Sequence, residues 1–165
     1  MKYPLFLGII FLITGCSTPT IITSDIHNAI IPLGGEEVGI FIPESWEKVP
    51  QTTGGENIIL MARNGDENIV ISFEQSTELV TGNSLCDGVA KGFSPFQQTF
   101  VDENNCFFSG HPAPNTPLRN FLQKIVRTPD TTNFLLASCS SEQQSNTNTT
   151  CPAILDSFKI LEKTN

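Results

Sequence analysis

The sequence predicts an α+β domain, a mainly antiparallel β-sheet flanked by two helices in an α/β/α-type sandwich. Three observations predict it. Short runs rich in Ile, Val and Phe recur along the chain, bounded by Gly, Pro and Asn clusters. Two stretches alone, near residues 85–93 and 150–161, carry apolar residues at helical spacing. Most of the links between runs are of hairpin length, so neighbouring strands run antiparallel, and two helices must then bury their apolar stripes on the sheet.

The first residues read as an export leader. Lys2 is the only charge before Asp25, and an apolar run over residues 5–13 stops at Thr14-Gly15. A membrane-spanning helix needs about 20 apolar residues, so this run is too short to span and fits a cleaved signal at residues 1–15. Leu12-Ile13-Thr14-Gly15-Cys16 resembles the lipobox of bacterial lipoproteins. The resemblance implies that Cys16 is acylated and becomes the first residue after cleavage. Palmitate-type chains on Cys16 would then provide the membrane contact. Loss of Lys2 leaves 8 Lys and Arg against 17 Asp and Glu, a net charge of −9, which anionic headgroups repel. Ser17, and not Asp, follows the cysteine, a sign of outer-membrane sorting if the cell has an outer membrane. Residues 16–34 read as a tether, beginning with the polar Ser17-Thr18-Pro19-Thr20, and residues 35–165 as one domain.

Within that domain, residues 37–43 form a β-rich segment stopped by Pro43, and Pro43-Glu44-Ser45-Trp46 is a turn carrying the single Trp. Residues 51–56 are a polar loop. Strands over 57–62 and 68–74 flank an Asn64-Gly65 turn, a hairpin signal. Asn83 and Ser84 can cap a helix over 85–93. On a wheel, Gly88 and Gly92 share an arc with Leu85, Cys86, Val89 and Phe93, which predicts glycines on the buried face. Pro95 ends this helix. Residues 98–101 and 106–108 read as a hairpin around Asp102-Glu103-Asn104-Asn105. A Pro-rich loop covers 110–117. Strands over 120–127 and 134–139 surround a Pro129-Asp130 turn, a polar loop spans 140–150, and a last helix begins near Pro152, with Ile154, Phe158 and Leu161 as its stripe.

Cys86, Cys106, Cys139 and Cys151 are an even set in an exported chain, where disulfides form and persist. Of the three possible connectivities, Cys86–Cys106 with Cys139–Cys151 is favoured, because each pair is close in sequence. Loops of this size would each stabilise the fold by about 3 kcal/mol in the chain-entropy model. Neither a C-x-x-C pair for zinc nor one for thiol exchange is present.

Gly39-Ile40-Phe41-Ile42-Pro43-Glu44-Ser45-Trp46, the hairpin over 58–73 and the closing Ile154-Leu155-Asp156-Ser157-Phe158 give the chain a likeness to known proteins. It resembles the Mog1p/PsbP-like fold and, within it, the DcrB/PsbP-type bacterial lipoproteins, over residues 36–161. The four cysteines and the Pro-rich loop depart from that pattern. The resemblance implies a non-enzymatic accessory or partner-binding domain and supplies no catalytic residues.

The residues themselves point the same way. Trp46 reads as a packing residue, and His27 and His111 as solvated, since neither has a Cys, Asp or Glu at a motif spacing. Ser109 lacks a nucleophile-elbow context. Asp66-Glu67 and Asp102-Glu103 are too short for an EF-hand and read as solvated turns. Gly34-Gly35 and Gly54-Gly55 lack the Lys and helix of a phosphate loop. The composition is too apolar for a disordered chain and too acidic, at a net charge of −8, for a nucleic-acid binder. The expectation is a lipid-anchored protein of the cell envelope, outside the cytoplasm, that binds an envelope protein and needs no cofactor or metal. The alternative is a small-ligand or ion-binding lipoprotein with a pocket under the 111–117 loop.

Overall fold

Alternation of buried and outward side chains begins at Asn28, inside the stretch read above as tether. Ala29, Ile31 and Leu33 are buried while Asn28, Ile30 and Pro32 face outward. The folded domain therefore begins before residue 35. The computed structural model describes residues 26–50, 57–128, 132–143 and 150–162. Cys16, the leader, residues 17–25, the 51–56 loop, the Pro129-Asp130 turn and the 144–149 part of the polar loop lie outside the described residues.

Strand β1 (Asn28–Leu33) pairs antiparallel with β2 (Glu36–Phe41) across Gly34-Gly35. Both glycines have positive φ, 57° and 87°, as a two-residue hairpin turn of the primed type requires. Pro32 misleads a sequence reading, since proline cannot donate to a ladder, yet β1 is an edge strand and tolerates it there. After β3 (Glu47–Lys48) come β4 (Ile58–Asn64) and β5 (Glu67–Gln75), hairpin partners around Gly65. Helix α1 (Gly82–Ala90) follows, then β6 (Phe96–Val101), β7 (Asn105–Gly110), β8 (Arg119–Arg127), β9 (Asn133–Glu142), α2 (Cys151–Ser157) and β10 (Lys159–Ile160). Seven strands form one antiparallel sheet in the order β3-β4-β5-β9-β8-β7-β6, and β1-β2-β10 form a second, three-stranded sheet.

The register fixes which face each helix covers. Cys106 lies opposite Gln123, and Cys139 opposite Leu122. Successive side chains of a strand point to opposite faces, so Cys106 and Cys139 emerge on opposite sides of the large sheet. Cys106 is bonded to Cys86 of α1, and Cys139 to Cys151 of α2. The fold is thus α+β with a helix on each face. The sandwich layer on the α2 side is shared with the three-stranded sheet, which packs Ile31, Val38 and Ile40 against Leu60, Ile69 and Leu135 in the main core. On the α1 side a smaller aromatic core forms. Phe108 stacks on Phe121 at 4.9 Å, and Phe93 meets both rings edge-on at 5.0–5.1 Å.

Both helices differ from their sequence readings. Helix α1 is capped by Thr81, not Asn83 or Ser84. The Thr81 hydroxyl accepts from the Ser84 N–H, and the Ser84 hydroxyl accepts from the Thr81 N–H at 2.8 Å, a reciprocal capping box. The earlier start moves the crowded glycine. A Cβ on Gly82 would lie 2.2 Å from the carbonyl oxygens of both Asp102 and Asn105, whereas one on Gly88 would meet nothing within 4 Å. Gly88 and Gly92 are exposed, because Cys86, with Leu85, Val89 and Phe93, already fills the contact. Helix α2 is only seven residues long. Phe158 is its extended cap, fully buried, and the chain then pairs with β2 as β10. Ser157 ends the helix by accepting from the Phe41 N–H at 2.8 Å and donating to the Ile154 carbonyl. Leu161 packs over Gly39, where a Cβ would come within 2.6 Å of it.

Gly82→Ala should destabilise the fold by about 2–3 kcal/mol, since backbone oxygens cannot move aside as a flexible side chain can. Gly88→Ala should instead stabilise it by up to about 1 kcal/mol, the ordinary gain in an exposed helix. Urea midpoints of the two variants against the parent check both signs.

Candidate functional site

The sequence-singled residues separate on the structure. Trp46 is buried in the main core, and its backbone N–H closes the turn by donating to the Pro43 carbonyl at 3.0 Å. His27 and His111 serve as backbone pins. Their Nδ1 atoms lie 3.0 Å from the Ile42 oxygen and 2.6 Å from the Thr116 oxygen, the latter inside the Pro-rich loop. All four domain cysteines are 2% exposed or less. Asp66 and Glu67 are not a solvated turn. Asp66 accepts from the Glu142 N–H, and Arg119 donates to the Asp66 carbonyl and pairs with Glu142 at 3.7 Å. The Glu67 carboxylate is buried and accepts from the N–H and hydroxyl of Thr150 at 2.9 and 3.0 Å. An anion there also suits the positive end of α2. The sequence signal was weak: Glu67 is more than eighty positions from its partner.

An apolar groove opens where α2 stops covering the sheet. Its floor is Phe107 and Leu122, its wall Pro152 and Leu155 of α2, and its outer lip Phe100 of β6. The volume is about 230 Å³, below the range of ordinary small-molecule pockets, about 300–1,000 Å³. Phe100 is 55% exposed. A β-bulge puts it there. Gln98 faces Phe108, but Phe100 faces Phe107, so Thr99 is the extra residue. Without that insertion Phe100 would point to the α1 side. Bulges commonly re-aim a side chain in this way. The sequence reading named the strand but not the bulge, which has no compositional mark here.

Charges sit at the ends of the groove. Asp156 is at its rim. Lys124 donates to the Leu155 carbonyl at 2.8 Å, near the end of α2. Burial pulls the Lys124 ammonium below its usual pKa and Lys159 adds to this, while Asp156 and Asp102 oppose it. Asp102, at the end of β6, closes the hairpin. Its carboxylate accepts from the Asn104 and Asn105 N–H groups at 2.8 Å and from the Asn105 amide at 3.0 Å. Partial burial would raise its pKa, but these hydrogen bonds, with Lys124, outweigh it and hold the carboxyl below its usual range.

Two other grooves are lined by described residues. One, of about 280 Å³, lies on the outer face of the small sheet beside Ile30, Phe41 and Leu161. The other, of about 340 Å³, runs between α1 and the segment containing Leu79. None of the three is lined by the 111–117 loop, where the sequence reading placed a ligand pocket. Among the described residues no cluster of three or more His, Cys, Asp or Glu could hold a metal, and no helix is long and apolar enough to cross a membrane.

The Asp102 shift sets a pH dependence. Its folded pKa lies below the unfolded one, so its stabilisation is present above the unfolded value and is lost as pH falls through the folded value. Asp102→Ala should therefore be least stable relative to the parent at pH 7, and the gap should close towards pH 2. Denaturant midpoints of both proteins across that range check it, and a gap that does not change with pH contradicts it.

No family model matches the chain, and no curated relative matches it either. The likeness to Mog1p/PsbP-like domains rests on the sequence motifs alone. Among solved structures, the chain is similar to the crystal structure of LpqN, involved in cell envelope biogenesis of Mycobacterium tuberculosis, at 12% identity and a TM-score of 0.45, over 73% of this chain and 76% of that one. At that TM-score the likeness carries no functional argument.

Proposed function

We propose that this chain is a lipid-anchored protein of the cell envelope whose domain, outside the cytoplasm, binds another envelope protein and does no chemistry of its own. The observation that carries the reading is the state of the cysteines. Every cysteine after Cys16 is paired, and each pair ties a helix to the sheet inside a core. Structural disulfides of this kind belong to oxidising compartments. The lipobox-like Leu12-Ile13-Thr14-Gly15-Cys16 supplies the route there and the anchor. Two or three acyl chains on one residue would hold the protein firmly where a single chain holds it only reversibly.

A protein partner is favoured over a small ligand by the kind of surface on offer. Phe41, Leu79, Phe100 and Ile160 are large apolar side chains left exposed, and the first three each line a groove of about 230–340 Å³. At Phe100 the exposed ring is continuous with an apolar groove lined by Phe107, Leu122 and Pro152, and it is a continuous apolar surface, not a single exposed side chain, that marks an interaction site.

Replacing Cys16 with Ala should abolish incorporation of labelled palmitate and release the chain from the membrane fraction. Continued labelling of the variant would overturn the anchor. Mass mapping of the exported protein without reduction should recover the Cys86–Cys106 and Cys139–Cys151 peptides. Recovery of reduced cysteines or of a crossed pair would remove the argument from compartment.

A further inference from the structure

We infer that the outer edge of β6, with the Phe100 groove beside it, is a docking site for an extended, basic-flanked segment of a partner protein, which adds to the sheet as an eighth strand. The inference rests on the partner-binding reading above and names the partner's chemistry.

The argument starts from how the sheet edges are protected. An exposed edge presents unpaired N–H and C=O groups, and proteins blunt such edges with brevity, charge or proline. Among the described residues, three of the four edges follow that rule. Strand β3 has two residues, Glu47 and Lys48, both charged. Strand β10 has two residues, one of them Lys159. Strand β1 carries Pro32. Strand β6 does not follow it. Its six residues, Phe96-Gln97-Gln98-Thr99-Phe100-Val101, include no charge and no proline, and Gln97 to Phe100 are exposed. Among the described residues its one strand partner is β7.

The bulge at Thr99 adds a second, independent feature. It turns Phe100 onto the face where half-buried Phe107 and Leu122 line the groove beside the buried Leu155. Strand addition takes its affinity from main-chain hydrogen bonds and its selectivity from pockets that receive alternate side chains. Here both elements lie side by side, an open edge and an apolar pocket one strand away. The occupant that satisfies a row of unpaired backbone groups is another extended backbone.

Charge selects what kind. Asp102 stands at one end of β6 and Asp156 at the rim of the groove; Lys124 offsets part of this local charge, and the sign of the approach is set by the whole chain, with a net charge of −8. A second copy of the same chain would meet this surface with like charge, whereas a segment with Lys or Arg beside its apolar residues is steered towards it.

The test uses the full-length, disulfide-bonded chain in detergent, presented to a display library of random twelve-residue peptides. The expected result is enrichment of peptides with alternating apolar residues and at least one Lys or Arg. Their binding should shift the backbone amide resonances of β6. Backbone N-methylation of one alternate set of peptide residues should weaken binding tenfold or more, and of the other set hardly at all. Phe100→Ala, at a half-exposed side chain that the fold does not need, should weaken binding tenfold or more while leaving the melting temperature unchanged. Asp156→Lys should remove the preference for basic peptides. The inference is overturned by failure to enrich any peptide, by enriched peptides with helical spacing, or by binding that leaves the β6 amides unmoved. It is also overturned, in favour of a second copy, if the chain self-associates in sedimentation and Phe100→Ala abolishes that. The anchor is tested separately: a parent chain that takes up no palmitate at Cys16 but still selects strands would sink the anchor and keep this site.

Discussion

A helix of nine residues and one of seven are both shorter than the roughly 12–15 residues at which an isolated helix becomes even marginal in water. Each is held to the sheet by a covalent bond at a buried position, Cys86 to Cys106 and Cys139 to Cys151. The β7–β8–β9 register makes those two bonds leave opposite faces, because Gln123 and Leu122, their cross-strand neighbours, are adjacent. Much else follows from that placement. The sheet has a covered strip on each face, and the strips do not coincide. The small sheet and α2 shield β4, β5 and β9, while α1 shields β6 and β7 from the other side. The part of β6–β8 that faces α2 is left open, and the Phe100 groove is that remainder.

The turn of the β6–β7 hairpin is held by hydrogen bonds although half of the hairpin is uncovered. Its turn is gripped from three directions. Asp102 holds the Asn104 and Asn105 amides. The N-terminus of α1 donates from the Gly82 N–H to the Glu103 carbonyl at 2.9 Å. Arg127 of β8 donates to the Glu103 carbonyl and the Asn104 amide oxygen, both at 2.8 Å. The absence of a side chain at Gly82 is what lets the helix end approach this closely. An edge strand fixed in this way pays little entropy to receive another strand, and preorganisation of that kind is where binding affinity is usually gained.

How much of this could be read from the residues depends on whether the deciding contact was local. The hairpin at Asn64-Gly65, the turn at Asp102-Asn105 and the pairing of near cysteines are settled within a few tens of residues, and their signals are visible in the chain. The first strand was hidden by Pro32, whose placement on an edge only the assembled sheet explains. Gly88 was misplaced because a wheel ranks arcs by apolarity and cannot know that a short, disulfide-held helix uses a narrow contact. Glu67 looked like a turn acid, and its partner Thr150 is remote in sequence. Of the candidate groove, the residue types were legible but their convergence was not. Phe100 reaches it through a bulge, and Leu155 and Pro152 reach it through a disulfide more than forty residues further on.

The open edge and the acidity of the chain belong together. A segment such as Phe96-Gln97-Gln98-Thr99-Phe100-Val101 has the low charge, aromatic content and lack of proline that favour strand-to-strand aggregation. Left on an edge of a neutral protein it would be a hazard. A net charge of −8 makes every copy repel every other over the distances that precede contact, about 8 Å of screening length at physiological salt. The same field draws in a positively charged segment. Distributed charge thus does for β6 what Lys and Pro do for the other edges, with one difference: it discourages like molecules and not unlike ones. An edge protected by its own lysines would be closed to all strands, whereas one protected by the charge of the whole domain stays open to a partner of opposite sign.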